Sequence, residues 1–419
     1  MTRRTILAAI ALLTSFSVPS FGQSYASYDS LTYAVIGGKP LRLHLRIPSG
    51  ASAAAPVPCV LWIHGGAWEG GNAWPIPGQP LRLVTEKRIA IASVEYRLTS
   101  ESYLYGGEPV TFPAQIHDIK GAVRWLRAHA GQYGLDVTRF GAWGPSAGGH
   151  LSALLGTSGG VAALEGNVGG NLEQSSRIQA WADYYGPTDL LNISLLVTEP
   201  PGSVFDHDSP DSPESALIGW NGPGEGIVDI RANIDNPESP YPELVALCRA
   251  ANPITHIDSR DPPAFIAHGT EDTTVPRGAS DILDIALDEA NVLNDYRVVY
   301  GAGHGPLNKA TDTAAINFLE SQLARPQSPG IGVWPSLYAW PNPSRDSVTF
   351  GGGALVGGQP MDIFDVAGRR IATVTLSPDG NGRWDGINDR GNLVASGFYW
   401  ARVKGRDLRV YTARFTILR

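Results

Sequence analysis

The segment 144–148 constrains the fold of this chain more than any other. It has the pattern G-x-S-x-G with Ser146 at its centre, after an apolar run at 140–143 and before small residues at 149–155. Glycines on both sides of the serine remove the Cβ atoms that would clash in a sharp bend. The pattern therefore predicts a strand, a tight turn with Ser146 exposed on it, and a helix whose first N–H groups lie near the serine.

Two loops downstream offer partners for a nucleophilic serine, which needs a base and an acid that orients the base. Asp272 follows a strand predicted at 263–268, and His304 lies in a glycine-rich loop after a strand predicted at 296–300. Ser, Asp and His in this chain order form one of the known catalytic triads. We therefore predict Ser146 as the nucleophile, His304 as the base and Asp272 as the acid.

Other interpretations of these residues stay open in the sequence. Asp272 is also suited to cap a helix N-terminus, and Glu271 is a rival for the acid. The alternative interpretation of His304 is an ordinary solvated histidine with no catalytic role. His268 ends a predicted strand and is expected to bond backbone groups, while His150 is expected to pack rather than to catalyse.

A second glycine motif follows an early apolar strand. The strand predicted at 59–63 runs into His64, Gly65 and Gly66. A loop of this kind presents backbone N–H groups that no side chain covers, so Gly65, Gly66 and Ala147 are the predicted donors to an oxyanion. The alternative is a Gly-Gly turn that binds nothing.

The N-terminal residues have the features of a secretory signal peptide. Arg3 and Arg4 precede an apolar run at 6–16, and small residues follow, so we expect the signal peptide to span 1–22. The run is too short to cross a bilayer as a helix, and no other segment approaches that length. We therefore expect a secreted or cell-surface protein with no integral membrane segment.

Charge is unevenly distributed along the chain. The net charge is −8, yet the residues from 335 onward contain eleven Lys or Arg against seven Asp. This change of sign supports a domain boundary at a Pro-rich linker, 325–336, which separates a catalytic domain at 23–324 from a C-terminal domain at 337–419. The acidic catalytic part argues against nucleic-acid binding, which needs a basic surface.

The cysteines do not suggest a metal site. Cys59 lies in a predicted interior strand and is expected to be a small buried hydrophobe, with a disulfide to Cys248 left open. We expect no metal and no organic cofactor. A calcium site is a weaker alternative, carried by three clustered acidic residues: Asp206, Asp208 and Asp211.

Alternating apolar segments predict the class of the fold. Residues 31–47 alternate around Gly37-Gly38 and predict a β-hairpin, and an apolar stripe after Pro113 predicts a helix. Strands and helices then alternate to about 323, which predicts an α/β protein with a doubly wound, mostly parallel sheet. Residues 196–241, rich in Pro, Gly, Asp and Ser, interrupt this alternation as an insertion, either a lid over the site or a solvated surface loop.

Several longer motifs lie between residues 31 and 323: His64-Gly-Gly-Ala-Trp68, Val94-Glu-Tyr-Arg97, Phe112-Pro-Ala-Gln-Ile116 with Asp118, Trp125-Leu126, Trp143-Gly-Pro-Ser-Ala-Gly-Gly-His150, Tyr185-Gly-Pro-Thr-Asp-Leu190 and His268-Gly-Thr-Glu-Asp272. In these motifs the chain resembles the hormone-sensitive-lipase-like α/β-hydrolases. It is most similar to the bacterial branch with HGGxW loops that is described as feruloyl or acetyl-xylan esterase-like. One departure is Pro145, where an acidic or small polar residue is more usual. Because proline fixes φ, we expect it to stiffen the turn and leave the mechanism intact.

The resemblance implies the α/β-hydrolase fold and a secreted serine carboxylic-ester hydrolase that works through an acyl-enzyme. The implied substrates are feruloyl or acetyl esters of plant cell-wall polysaccharide. Trp68 lines an acyl pocket in one interpretation and the core in the other. The alternatives are a general short-chain carboxylesterase or polyesterase, a prolyl-oligopeptidase-type peptidase, for whose β-propeller the chain has no room, and a non-catalytic binding protein.

The C-terminal residues carry a different pattern, in which short strands alternate with frequent turns. The segment from Trp340 onward contains Trp384-Asp-Gly386, Gly391 and Ala395-Ser-Gly397. It resembles the flagellar hook-capping-type immunoglobulin-like domain, which is also found in proteins with type IX secretion sorting signals. The resemblance implies a small all-β, Ig-like sandwich with a sorting, anchoring or accessory role, and secretion machinery as a partner.

Overall fold

A computed structural model describes residues 25–196 and 205–324 and, in the C-terminal part, 337–340, 344, 347–351, 357–365, 369–377, 382–404, 410–417 and 419. The predicted signal peptide at 1–22 and the predicted linker at 325–336 lie outside the described residues. So does part of the predicted insertion, 197–204.

Eight strands form the central sheet: β1 (Tyr25–Ile36), β2 (Lys39–Pro48), β3 (Val57–Ile63), β4 (Ala90–Val94), β5 (Leu135–Pro145), β6 (Ala180–Tyr184), β7 (Ala264–Gly269) and β8 (Asn294–Val299). Their order is β1-β2-β4-β3-β5-β6-β7-β8. The predicted hairpin is confirmed, because β1 and β2 pair in antiparallel register up to Ile36 opposite Lys39. From β4 to β8 all neighbouring strands are parallel.

The helices that accompany this sheet are α1 (Gly78–Lys87), α2 (Ala114–Ala128), α3 (Ala130–Tyr133), α4 (Ala147–Thr157), α5 (Pro213–Ile218), α6 (Ile227–Ala232), α7 (Tyr241–Ala251), α8 (Gly278–Glu289) and α9 (Lys309–Leu323). Short 3-10 turns lie at Thr99–Tyr105, Ala162–Leu164, Ile193–Leu195 and Pro253–Thr255. The helix predicted after Pro113 is α2, and the predicted insertion contains α5 and α6.

Two hydrophobic clusters cover the two faces of the sheet. In β3 the side chains of Cys59 and Leu61 join the cluster with α2, α4 and α8, and those of Val60 and Trp62 join the cluster with α1 and α9. This alternation follows from the two-residue period of a strand that is buried on both faces. The predicted doubly wound sheet is therefore confirmed.

The cysteines lie in the core on the α2 side of the sheet. Cys59 and Cys248 are both buried, and both are free thiols. Cys59 therefore acts as a small core hydrophobe, as the sequence predicts.

The C-terminal part has strands β9 (Tyr338–Trp340), β10 (Val348–Gly351), β11 (Pro360–Asp365), β12 (Arg370–Thr375), β13 (Gly382–Trp384), β14 (Gly397–Lys404) and β15 (Val410–Ile417). They form two antiparallel sheets, β13-β10-β9 and β12-β11-β14-β15, which share one core containing Phe350, Trp384 and Phe415. A small all-β unit is thus present. The immunoglobulin-like class of this unit stays a prediction.

Within the described ranges, none of the helices has both the length and the apolar composition that crossing a membrane requires.

Candidate active site

The turn that carries Ser146 connects the end of β5 to the start of α4. Ser146 has φ 54° and ψ −125°, a conformation that costs energy for a residue other than glycine. Its N–H donates to the carbonyl oxygen of Tyr184 over 2.8 Å, and its own carbonyl oxygen accepts from the N–H of His150 over 2.9 Å. These bonds hold the strained turn in place, so the serine side chain has a fixed position at the carboxyl edge of the sheet.

Gly148 shows why the predicted turn needs glycine. A Cβ at this position would overlap the carbonyl oxygen of Ile63 at the end of β3. The first turn of α4 therefore packs directly on the backbone of β3. This contact places Ser146 beside the loop that follows β3, where the oxyanion donors were predicted.

Three side chains from different strand ends meet at this edge. Nε2 of His304 lies 3.0 Å from Oγ of Ser146, and Nδ1 of His304 lies 2.8 Å from Oδ2 of Asp272. Because a carboxylate only accepts hydrogen bonds, Nδ1 carries the proton and Nε2 is free to accept from the serine hydroxyl. The structure thus brings together the three residues that the sequence singled out.

Asp272 is held from several sides. Its Oδ1 accepts the N–H groups of Thr274 and Val275 over 2.9 Å each, and its Oδ2 also lies 3.2 Å from Nε2 of His268. Burial alone would raise the pKa of Asp272, but the hydrogen bonds from His268 and His304 and their charges outweigh it and hold this pKa well below its usual range. The carboxylate is therefore ionised at neutral pH.

Glu271 and Asp272, the two candidates for the acid, differ in their position. Glu271 is exposed, and its backbone N–H donates to the carbonyl oxygen of Ala302. The carboxylate that accepts from Nδ1 of His304 belongs to Asp272. The helix-cap interpretation of Asp272 is wrong, because the next helix, α8, begins at Gly278 with Arg277 at its N-cap position. The Oδ1 of Asp272 instead accepts backbone N–H groups two and three residues ahead in a loop, while its Oδ2 faces His304.

His268 has a larger role than its sequence position indicated. Its Nε2 faces the carbonyl oxygen of Val275 at 3.0 Å as well as Asp272, and its Nδ1 lies 2.8 Å from the hydroxyl of Ser280. Because Val275 and Asp272 offer only acceptors, Nε2 carries the proton and Nδ1 accepts from Ser280. The bonding to backbone was predicted and the contact with Asp272 was not. The signal in the sequence was the i,i+4 spacing of a histidine and an aspartate across the strand end.

Trp68 requires a correction. Only 1% of its surface is exposed, so it presents no face to a substrate, and the prediction of a substrate-binding Trp68 gives way to the core alternative. Its indole N–H donates to Nδ1 of His150 over 3.2 Å, and Nε2 of His150 donates to the carbonyl oxygen of Ala251 over 2.8 Å. Burial lowers the pKa of His150 to about 4, so this histidine packs as a neutral residue.

The predicted oxyanion donors lie next to the serine. A Cβ on Gly65 would lie 3.3 Å from Cβ of Ser146, which shows how closely the two loops approach. Among the described residues, no acceptor is found for the backbone N–H groups of Gly65, Gly66 and Ala147. Free N–H groups at this point are available to a negatively charged oxygen.

Gly66 is held in a conformation that only glycine tolerates. Its φ is +117°, and a Cβ would overlap the carbonyl oxygen of Gly70. The start of the loop, two residues earlier, is held by Tyr96, whose hydroxyl donates to the carbonyl oxygen of His64 over 3.0 Å. The loop is therefore rigid before any substrate arrives.

Tyr185 is a further neighbour that the sequence did not assign to the site. Its ring meets the ring of His304 edge-on at 4.8 Å between centroids. Burial, together with the charge of Asp272, raises the pKa of Tyr185 above its usual range, so the hydroxyl stays neutral. Tyr185 thus limits how far the His304 ring can turn.

The acidic residues of the insertion do not form a cation site. Asp208 is paired with Arg231 and accepts from Ser194, and Asp206 accepts the backbone N–H of Asp208. In the parts of the chain that the structure describes, no group of His, Cys, Asp and Glu residues is arranged to hold a metal ion.

Comparison with known sequences bears on the class of enzyme. The chain is 27% identical over 279 residues to Esterase LipQ of Mycobacterium tuberculosis, which covers 67% of this chain and 57% of that protein. The first three curated relatives are matched over only 50% to 57% of their length, so the chain spans about half of each. These relatives have esterase or carboxylic ester hydrolase names, in agreement with the predicted class of enzyme.

Solved structures with more than 25% identity to this chain share the fold. A truncated carbohydrate esterase from gut microbiota has a TM-score of 0.59 and 26% identity, covering 72% of this chain and 98% of that one. A bifunctional GH43-CE protein of Bacteroides eggerthii has a TM-score of 0.57 and 31% identity, covering 71% of this chain and 35% of that one. The sequence pattern of one family matches residues 43–287, more than half of the 419 residues. The chain therefore belongs to the BD-FAE family of α/β-hydrolases.

Proposed function

We propose that this protein is a serine carboxylic-ester hydrolase with Ser146 as nucleophile, His304 as base and Asp272 as the acid that orients the base. The observation that carries the proposal is the unbroken hydrogen-bonded line from Ser146 Oγ through both nitrogens of His304 to Asp272, at 3.0 Å and 2.8 Å. A serine hydroxyl alone is a poor nucleophile, and this arrangement is what activates it.

The first step is attack on the ester carbonyl. As Oγ of Ser146 bonds to the carbonyl carbon, its proton moves to Nε2 of His304, and the imidazolium that forms is stabilised by the Asp272 carboxylate. The carbonyl oxygen becomes an oxyanion. The N–H groups of Gly65, Gly66 and Ala147 are placed to accept this charge, and each donor of this kind typically lowers the barrier by about 3–4 kcal/mol.

The second half of the reaction regenerates the serine. His304 passes its proton to the leaving alcohol oxygen as the ester bond breaks, which leaves an acyl group on Ser146. Water then attacks the acyl carbon while Nε2 of His304 takes a proton from it, and His304 gives this proton to Oγ of Ser146 as the bond between Oγ and the acyl group breaks. The products are an alcohol and a carboxylic acid, and no group beyond this chain and water enters the balance.

For the substrate, we propose acetyl or feruloyl esters of plant polysaccharide. The support is the family resemblance of the HGGxW loop and the likeness to a solved chain that is named as a carbohydrate esterase. A general short-chain carboxylesterase is the alternative, because neither the triad nor the oxyanion loop selects the acyl group.

The test compares wild type with Ser146→Ala on p-nitrophenyl acetate, methyl ferulate and acetylated xylan. We expect wild type to cleave the ester of at least one plant substrate, and the variant to lose about 10⁶-fold in kcat with an unchanged circular dichroism spectrum. Equal turnover by both proteins would overturn the assignment of Ser146. Activity on p-nitrophenyl acetate alone would leave the chemistry in place and overturn the polysaccharide proposal.

We also propose that the protein is exported and that its C-terminal part is an Ig-like sorting or accessory unit. The support for export is the charged and apolar pattern of residues 1–22, and the support for the unit is the Trp384-Asp-Gly386 pattern. N-terminal sequencing of the protein recovered from the culture medium tests the first proposal. Fusing residues 337–419 to an exported reporter tests the second, since a sorting unit must change where the reporter accumulates.

A further inference from the structure

The described part of the insertion places a histidine against the loop of the catalytic acid. His207 and Glu214 are both buried, and Nδ1 of His207 lies 2.9 Å from Oε1 of Glu214. Nε2 of His207 lies 2.7 Å from the carbonyl oxygen of Thr274. These residues are 67 positions apart in the chain, so the contact exists only in the folded protein.

The partners of His207 determine its charge. Both of its ring nitrogens face oxygen atoms that accept hydrogen bonds, a carboxylate and a backbone carbonyl. Both bonds are made when the ring carries two protons. By contrast, Nδ1 of His150 accepts from the indole N–H of Trp68 and its Nε2 donates to the carbonyl oxygen of Ala251, so the two partners of this ring are satisfied when it is neutral.

The carbonyl of Thr274 and the N–H of Val275 belong to the same peptide group. The oxygen of this group faces His207, and its N–H donates to Oδ1 of Asp272 over 2.9 Å. A cation on the oxygen side polarises the peptide and fixes its plane, which strengthens and orients the bond to Asp272. The chain of contacts thus runs from Glu214 through His207, the peptide and Asp272 to the His304 imidazole.

We propose that His207, paired with Glu214, is a positioning residue that holds the catalytic acid Asp272 through the Thr274–Val275 peptide group. The inference rests on the proposed ester hydrolysis and gives the insertion a task other than covering the site. Apolar contacts support the same connection, since Ile193 and Leu196 pack against Val275 and Ala279 at the same loop.

The charge of His207 sets the pH range of this support. Burial lowers the pKa of His207, but the hydrogen bond and charge of Glu214, with smaller effects of Thr274 and Asp208, raise it above its usual value. Because this pKa is raised, the support from protonated His207 is fully present below the pKa of the unfolded chain, about 6.5. This support is lost as pH rises through the pKa of His207 in the folded protein.

The other charges near this pair do not reverse that direction. Asp208, the charged neighbour on the same loop, is paired with Arg231. Glu69, in the oxyanion loop, feels the charge of Glu214, and burial and this repulsion raise the pKa of Glu69. On the acid loop, Asp272 is negative. The surrounding charge is thus predominantly acidic and favours the protonated ring.

The experiment measures kcat/KM for p-nitrophenyl acetate against pH in the full chain, for wild type, Glu214→Gln and His207→Gln. Glu243→Gln on the exposed side of α7 is the matched control. We expect activity to fall as pH rises through the folded pKa of His207 in wild type and in the control. In Glu214→Gln the fall should begin about one pH unit lower, because the ring loses the charge that holds its proton. In His207→Gln that titration should disappear and kcat should drop about tenfold or more with KM little changed.

A second measurement does not depend on catalysis. Amide hydrogen exchange reports the bonds from Thr274 and Val275 to Asp272, and we expect weaker protection of these two amides in Glu214→Gln than in Glu243→Gln at one pH. Unchanged protection, or a pH profile identical in all variants, would overturn the positioning role. If wild type and Ser146→Ala hydrolyse the ester equally while the exchange differs as expected, the proposed function fails and the structural connection stands.

Discussion

His268 places its Nε2 3.2 Å from the same oxygen of Asp272 that accepts from His304 at 2.8 Å. Two imidazoles therefore share one carboxylate oxygen, one from the strand end before the acid and one from the loop of the base. The second oxygen is taken by two backbone N–H groups, from Thr274 and Val275. With both oxygens bound, the carboxylate keeps one orientation, and this fixes the tautomer of His304.

Asp272→Asn is expected to lower kcat by about 10⁴-fold with little change in fold. An amide presents a donor as well as an acceptor, so His304 is no longer held with its proton on Nδ1. Steady-state kinetics on p-nitrophenyl acetate measures the loss. Glu271→Gln, which removes the neighbouring exposed charge, is the control and should keep wild-type kcat; a larger loss in that variant would move the acid to Glu271.

The stability of the protein at acid pH should depend on Asp272. Because its folded pKa lies below the unfolded value, about 3.9, its charge contributes stability that is present above that value and is lost as pH falls through the folded pKa. Thermal unfolding between about pH 5 and about pH 2 should show a steeper fall of Tm for wild type than for Asp272→Asn. Parallel curves for the two proteins would mean that Asp272 titrates alike in the folded and unfolded chain.

Gly66→Ala should strongly lower kcat, because the added methyl group meets the carbonyl oxygen of Gly70 and the residue must leave φ +117°. Moving this residue displaces an oxyanion donor, which typically costs about 10²-fold to 10³-fold in kcat. Gly78→Ala is the matched control, since nothing lies within 4 Å of its added Cβ. Steady-state kinetics and Tm are measured for both variants. A Gly66→Ala enzyme with wild-type kcat would contradict the assignment of this loop as the oxyanion donor.

The thiols of Cys59 and Cys248 should be unreactive in the native protein and reactive after unfolding. Burial, with the charge of Asp189, raises the pKa of Cys248 to about 12, and burial raises that of Cys59 as well. Titration with Ellman's reagent at about pH 8 should find no reactive thiol before and two thiols after denaturation without reductant. Fewer than two in the unfolded protein would reveal a disulfide.

Ending the chain after Ala324 should leave esterase activity and Tm of the catalytic part unchanged. Among the residues that the structure describes, the clusters on the two faces of the central sheet extend up to Leu323, and the C-terminal cluster begins at Leu337. Separate cores can fold separately. The truncated enzyme is compared with the full chain by kcat/KM and thermal unfolding, and a folded but inactive product would show that the C-terminal part contributes to the site.

Local pattern was sufficient for much of this site. A few residues are enough to recognise the G-x-S-x-G turn, the HGG loop and the loops after β7 and β8. The reason is that a turn which exposes a serine or backbone N–H groups needs glycine at fixed positions. The alternation of apolar residues likewise predicted the parallel sheet, since strand and helix periods are properties of the local backbone. Carboxyl ends of parallel strands meet at one edge, so Ser146, Asp272 and His304 could be expected together.

Tertiary structure alone decided the environment of those residues. The burial of Trp68 against His150, the edge of Tyr185 on His304, and the contact of His207 with the acid loop join segments that lie far apart in the chain. No periodicity records such contacts, because they depend on which surfaces the folded sheet brings within hydrogen-bond distance. The sequence indicated which groups are candidates for the chemistry, and the packing of distant segments set the contacts that hold each of them.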